Sequence, residues 1–225
     1  SYKAGRLATF IMALLGCTAG QRGPLWWASH HRYHHMTSDT DRDPHSPAGG
    51  FLNSHMLWFL RKGSFCTNDR HVRDWMKYPE LRWLEKLDWL PFILFGAGCY
   101  MLGDYLAIAH PALNTDGPML LAWGFFVSTV LLWHGTYTIN SLAHRFGSRR
   151  FSTRDNSRNS LVLALLTLGE GWHNNHHRYP NATRQGFYWW EIDISYYLIS
   201  LLSLIGLFRD MRPVPSSVYL EAMNR

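Results

Sequence analysis

The sequence is poor in the features that mark most soluble functions. Its three cysteines, Cys17, Cys66 and Cys99, are odd in number and two lie in apolar blocks. That argues against a disulfide framework and suits a reducing cytosol or a bilayer interior. No His-Glu-x-x-His pattern is present, which disfavours a zinc protease. Zinc-finger spacing, a basic helix and an RNP-like motif are also missing, so the formal charge of +6 does not lead to nucleic acid. Positive charge is absent from His110 to Gly117, and charge of either sign is absent from Pro118 to Ile139. No signal peptide is visible, and the chain opens on Ser1 rather than Met, so it reads as a fragment or a processed chain. There is no low-complexity linker.

What remains is a chain of 225 residues, enough for one domain with a substantial core, rich in histidine (13) and tryptophan (11). Its hydrophobicity lies in blocks separated by Arg- and His-rich stretches, the pattern of a membrane protein with a basic cytosolic face. The run Leu7–Gly16 is too short to cross about 30 Å of hydrocarbon and predicts an interfacial or re-entrant helix. Residues 36–88 are polar and Trp-rich, with eight Lys/Arg. Two spans are expected, at 91–109 and 118–139. Asp104 blemishes the first, at a cost of about 2.5–3.5 kcal/mol if it sat at a helix centre. A tight link between two spans returns the chain to its starting side. Residues 36–88 and 140 onward then share one side, and their positive charge makes it the cytosol. The runs Leu161–Leu168 and Ser195–Phe208 are too short to span and read as interfacial or packed on the spans. The expected fold is therefore an all-α integral membrane protein, a transmembrane helical hairpin with a cytosolic helical cap, in one domain over residues 1–225.

The cap carries the chemistry. Gly169-Glu-Gly-Trp-His-Asn-Asn-His-His177 places His173, His176 and His177 at i, i+3 and i+4, within about 100° of helical arc. His31-Arg-Tyr-His-His35 repeats that spacing with His31, His34 and His35. In Asn140-Ser-Leu-Ala-His144, Asn140 and His144 share a helix face where the second span ends. Seven histidines are too many for one metal, and an all-nitrogen set suits iron, copper or nickel better than magnesium or calcium. A two-metal site follows. His144 alone would also pass as an interfacial histidine, and Asn140 reads equally as a water-mediated ligand or a helix-end hydrogen bonder. His30 falls on another helix face. His45, His55, His71, His110 and His134 have no partner at ligand spacing and read as packing or surface residues. Asp39, Asp41 and Asp43 fit either carboxylates that orient imidazoles or a solvated acidic turn.

Taken in order, Ser29–His35, Ser38–His45, Arg61-Lys62, Asn140–His144, Ser157-Arg158-Asn159 and Gly169–His177 resemble the membrane-bound acyl-CoA (stearoyl-type, delta-9) fatty-acid desaturases along nearly the whole chain. The resemblance implies a mushroom-like fold, with a membrane stem and a cytosolic cap holding two irons (Fe2+) at their junction. The seven histidines would be the ligands, with Asn140 reaching one iron through water. Arg61 and Lys62 match a basic pair that meets the coenzyme A head group, and both could grip its phosphates. Gln21, Trp26 and Tyr137 would line the acyl tunnel. Two departures stand out. The family's first box, His-x-x-x-x-His, would end just upstream of Ser1, which puts the activity of the chain by itself in doubt. His30 replaces an Asp common in related enzymes, which puts a head-group contact in doubt.

The implied reaction is O2-dependent removal of two hydrogens from adjacent methylenes of a long saturated acyl-CoA or acyl lipid, leaving a cis double bond. A separate ferredoxin- or cytochrome b5-type donor would supply electrons, since His45-Ser-Pro-Ala-Gly-Gly only loosely matches a haem-binding motif. A histidine-box hydroxylase is the nearest rival, because hydrogen abstraction can end in an alcohol. A metal-transport role would require charged residues along a pore through the spans, and the second span has none.

Overall fold

The computed structural model describes residues 2–223; Ser1 and residues 224–225, the ends of the expected domain, lie outside the described residues. Along the chain come strand β1 (Lys3–Ala4) and helices α1 (Arg6–Cys17), α2 (Pro24–Thr37), α3 (Phe51–His55), α4 (Arg73–Met76), α5 (Pro79–Lys86) and α6 (Trp89–Ala109). They are followed by α7 (Gly117–Leu120), α8 (Ser128–Ser141), α9 (Leu161–Leu166), α10 (His173–Arg178), α11 (Ile194–Leu204), strand β2 (Phe208–Arg209) and α12 (Ser216–Met223). The protein is predominantly helical; among the described residues the only sheet pairs β1 with β2. Two compact units share the chain: a first of residues up to Ala8, Tyr33–Phe65 and Gly135 onward, and a second of Thr9–Arg32 and Cys66–His134.

In the second unit, Cys17, Leu25, Ala28, Val72, Leu81 and Leu84 form a core. Helix α2 starts at Pro24, whose missing N–H costs nothing in a first turn. The next two amides, of Leu25 and Trp26, donate to one Glu85 oxygen at 2.9 and 3.1 Å. Gly23 has to be glycine, because a Cβ there would lie 2.8 Å from the Glu85 Cα.

Helix α6 has 21 residues, about 31 Å at 1.5 Å each, and ends where Pro111 forbids another turn. Asp116 caps the next helix by accepting the Met119 amide at 2.8 Å. That helix passes through a π-helical stretch, Leu121–Val127, before α8. The Ser128 hydroxyl donates back to the Gly124 and Phe125 carbonyls there, at 2.5 and 3.1 Å. The two long elements run side by side in opposite directions: Gly103 lies against Asp116, Gly96 under the Phe125 ring, and the tilted rings of Phe92 and Phe125 meet at 4.6 Å. Asp104 is not buried at a helix centre. Its carboxylate accepts the Gly117 amide at 3.2 Å, at the α6 end that meets the link.

Trp89–Ala109 and Gly117–His144 are both long and apolar enough to cross a membrane. Their windows are only 11% buried, so neither is the core helix of a soluble protein, and Leu94, Met101, Ile108, Trp123 and Leu131 all face outward. The expected 91–109 and 118–139 lie inside these two segments.

The first unit has two apolar clusters, Phe151/Ala182/Phe187/Val214/Val218 and Ile139/Ala143/Leu163. The expected apolar runs 161–168 and 195–208 are the shorter helices α9 and α11.

Candidate metal centre

Helix α10 is six residues long, too short to persist by its own hydrogen bonds. Its neighbours hold it in place. Leu168 (φ 57°) and Gly169 (φ 125°) turn the chain out of α9 in left-handed conformations. Gly171 then passes so close to α9 that a Cβ would lie 2.0 Å from the Ala164 nitrogen. Asn174 and Asn175, both fully buried, anchor the helix from inside. The Asn174 oxygen accepts the Arg150 and Phe151 amides at 2.9 and 2.7 Å. Asn175 accepts from Asn159 at 2.7 Å and Arg150 at 3.1 Å, and donates to Gln185 and Glu191 at 3.0 and 2.9 Å, which fills its hydrogen-bonding capacity. Arg150 is also ion-paired to the buried Glu191.

The histidines on this frame divide in a way that spacing alone does not show. His34, His144, His173 and His177 bring one ligand nitrogen each to within 4.8 Å of the others. His144 and His173 face each other through Nε2 at 3.0 Å. His35 and His176 meet separately, Nε2 to Nε2 at 2.9 Å. His31 lies on α2 one turn before His35, on the same helical face, with its ring stacked on Trp27 at 4.7 Å. Each box therefore serves both groupings: neighbours His34 and His35 part company, as do His176 and His177.

Carboxylates orient three of the rings. His34 Nδ1 donates to Asp43 at 3.0 Å, His144 Nδ1 to Asp39 at 3.2 Å, and His177 Nδ1 to Asp155 at 2.7 Å. With the proton on Nδ1, each Nε2 carries a lone pair turned inward. Asp39 holds its position through a left-handed backbone (φ 59°). Burial works against charge on Asp155, but its hydrogen bonds from His177 and Ser157 outweigh it and hold the carboxyl well below the usual range. Asp39 behaves alike: burial is overcome by His144 and the Asn156 amide. Burial dominates at Asp43 and raises it. It also dominates at His173, lowering that imidazole well below its usual value with help from the neighbouring histidines, so the ring is held neutral as a ligand must be. Asp41 is exposed and bonds no imidazole among the described residues.

These residues fit a transition-metal pair. The donors are imidazole nitrogens, their outer nitrogens are held by carboxylates, and the buried Nε2 of His177 has no hydrogen-bond partner among the described residues. A buried acceptor in that state costs free energy that a bound cation would recover.

Asn140 lies one turn before His144, half-buried, and its amide is not engaged by other described residues. The helix tightens to a 3-10 turn over Leu142–His144, so the pair is not in the regular α register that its spacing suggests. Arg61 and Lys62 stand exposed where one 3-10 turn ends and the next begins, and neither is ion-paired among the described residues. Tyr137 is half-buried between the rings of His55 and Phe59, at 5.5 and 5.2 Å. Trp26 is buried in the second unit, packed on His30 at 4.4 Å, and Gln21 is half-buried in the segment before α2. His30 bonds the Trp26 carbonyl through Nδ1 at 3.0 Å and joins none of the histidine groupings among the described residues. His45 packs on His34 at 4.2 Å, closer to the site than a mere surface histidine. The residues that spacing missed are Asp155, which lies 22 positions before His177 with no motif to announce it, and the Arg150–Asn159–Asn174–Asn175–Glu191 frame. Only the paired asparagines inside the box and Asn159, in the Ser157-Arg158-Asn159 motif, gave a signal.

Known proteins resemble this chain along most of its length. The family model for fatty acid desaturases matches residues 2–199. An acyl-CoA 5-desaturase of Anemone leveillei is 37% identical over 227 residues, covering 100% of this chain and 66% of its own length. A delta-9 acyl-lipid desaturase of Arabidopsis thaliana is 37% identical over 215 residues, covering 94% and 66%. An sn-2 palmitoyl-lipid 9-desaturase of Nostoc is 36% identical over 220 residues, covering 96% and 73%. The chain spans about two thirds of the length of these relatives. It belongs to the fatty acid desaturase family.

Proposed function

We propose that the protein introduces a cis double bond, at the delta-9 position, into a long saturated fatty acyl-CoA. The observation that carries this reading is the division of the two boxes into two adjoining histidine groups, three of whose rings are set by carboxylates. In it, His34, His144, His173 and His177 hold one Fe2+, and His31, His35 and His176 hold the second, with Asn140 reaching an iron through water. When bound, such a pair supplies O2 activation; the reaction consumes O2, two electrons and two protons, and releases two waters with the alkene.

The chain's own contribution is position. Asp39, Asp43 and Asp155 fix which nitrogen of each ring faces inward. The Asn174–Asn175 frame keeps α10 from moving. An apolar path past Gln21, Trp26 and Tyr137 would set which methylenes meet the centre, since C–H bonds along an acyl chain differ little in reactivity. The exposed Arg61 and Lys62 suit a phosphate-bearing head group and favour coenzyme A over a neutral lipid. The names of these three relatives put the double bond at carbon 5 or 9 and the acyl group on coenzyme A or a lipid; delta-9 is taken here from the family resemblance, and coenzyme A from the exposed Arg61–Lys62 pair. The whole chain acts as one desaturase domain, in a membrane, with its histidines on the cytosolic side where the Lys/Arg-rich segments lie and where a ferredoxin- or cytochrome b5-type donor reaches it.

Gas chromatography with mass spectrometry of an expressing host tests the proposal. A monounsaturated acid with its double bond at one position, absent in His176→Ala, is expected. An alcohol in its place would favour hydroxylation, and product retained in His176→Ala would overturn the ligand assignment.

A further inference from the structure

Within the first unit, α9 and α11 turn apolar side chains outward. Helix α9 packs Leu163 against Ile139 and Ala143, at the end of the Gly117–His144 helix. Its other side presents Leu161, Val162, Leu165 and Leu166 to the outside, Leu166 at 66% exposure. From its C-terminal end the patch continues into the next helix, because the Leu168 carbonyl accepts the Ser195 amide at 2.8 Å. Helix α11 then presents Ile194, Leu198, Leu201, Leu204 and Ile205, a stripe at i, i+4, i+7, i+10 and i+11 with Leu204 82% exposed. Its serines, Ser195, Ser200 and Ser203, are half-buried beside Tyr196, Ile199 and Leu202, and none of them lies on the exposed stripe. A helix facing water carries polar residues on its exposed face. Just before it, Trp189 and Trp190 project at 82% and 53% exposure, and Arg209 is exposed just beyond it.

We infer that α9, α11 and the Trp189–Trp190 corner form a lipid-embedded face, lying in the bilayer interface without spanning it. Three observations favour lipid over a second protein. The patch begins on the end of a helix long enough to span, so it continues the surface that helix gives to the bilayer. Neither helix approaches the length needed to cross. Its edges carry two tryptophans and an arginine, residues that settle at the headgroup level. A functional consequence follows: α10 is strung between these two helices, so its histidines are held at a fixed depth just above the lipid.

The inference rests on the spanning assignment of Gly117–His144, and the test separates the two. Single cysteines are placed at Leu166, Leu201, Leu131 in α8, and the exposed Asn181, with Cys66 and Cys99 replaced and the buried Cys17 kept. Nitroxide-labelled full chains are reconstituted in phosphatidylcholine–phosphatidylglycerol vesicles, and collisions with oxygen and with a water-soluble nickel chelate are compared by electron paramagnetic resonance. Oxygen is expected to dominate at 131, 166 and 201, with 166 and 201 shallower than 131, and the ratio should reverse at 181. Oxygen dominance at 131 with nickel dominance at 166 or 201 overturns the embedded face. Shielding of 166 and 201 from both reagents also overturns it, in favour of a protein cover. Nickel dominance at 131 defeats the spanning assignment and the inference with it.

Discussion

Replacing Asp155 by Asn should weaken metal binding without removing any ligand. One carboxylate oxygen accepts the His177 Nδ1 proton at 2.7 Å; the other accepts the Ser157 amide at 3.0 Å and its hydroxyl at 2.5 Å. The residue is only 9% exposed, so these contacts act at low dielectric and little water stands ready to replace them. Asparagine keeps the shape but loses the charge. It also presents either a weaker oxygen acceptor or an NH2 group that forces the His177 proton onto Nε2, the nitrogen that must stay free for metal. Loss of such a carboxylate–histidine pair lowers metal affinity by about 10–100-fold, or about 1.4–2.8 kcal/mol. The assay is iron retained per chain against a graded chelator, with melting temperature measured in parallel. Asp41→Asn, in the same acidic segment as Asp39 and Asp43 but exposed, serves as control and should leave affinity unchanged. Wild-type affinity in Asp155→Asn would refute the reasoning, as would an equal loss in Asp41→Asn.

Gly171→Ala should cost at least about 2–3 kcal/mol of stability, because its Cβ meets the backbone at Ala164 and Leu163, which no rotamer change relieves; a melting temperature within 1–2 °C (roughly) of wild type would contradict this. Asn175→Asp keeps the side-chain size but sets a second carboxylate against Glu191, and should melt well below wild type; equal melting would show that the frame is not what holds α10. Burial, and then Asp193, raise the Glu170 carboxyl to about 7. A raised carboxyl stabilises the fold below its unfolded value near 4.5 and loses that contribution as pH climbs through about 7. Thermal stability in detergent should therefore fall more steeply between pH 5 and pH 8 in wild type than in Glu170→Gln, by less than the one-proton limit of about 1.4 kcal/mol per pH unit, since part of Glu170 reaches solvent. Parallel slopes would rule this out.

How much of this was legible in the sequence depends on whether the cause was local. The two long apolar helices were, because about 20 mostly apolar residues leave few alternatives, and the helix boundaries agree to within a few residues. The chemistry of the boxes was also legible, since helical periodicity alone sets three imidazoles on one face. The parting of His34 from His35 was not: both belong to one face of α2, and which grouping each joins depends on where α10 and the end of α8 lie. Asp155 was invisible for the same reason, reaching His177 through a loop closed by Ser157. The glycines of the third box show a middle case. Gly169 announces a turn, but that Gly171 marks a backbone pressed against Ala164 is evident only once α9 is in place. Along α11 the outward stripe Ile194, Leu198, Leu201, Leu204 and Ile205 is apolar, and a run that looked merely short and apolar did not show which of its residues turn outward.

The central claim is that two histidine groups each hold a metal. Iron bound per purified chain, counted by mass spectrometry in wild type, His173→Ala and His176→Ala, tests it most directly. The account predicts two irons in wild type, with the loss in each variant falling on a different iron, so that the two residual centres differ in their Mössbauer spectra. A single iron in wild type, or identical residual centres in the two variants, would contradict it.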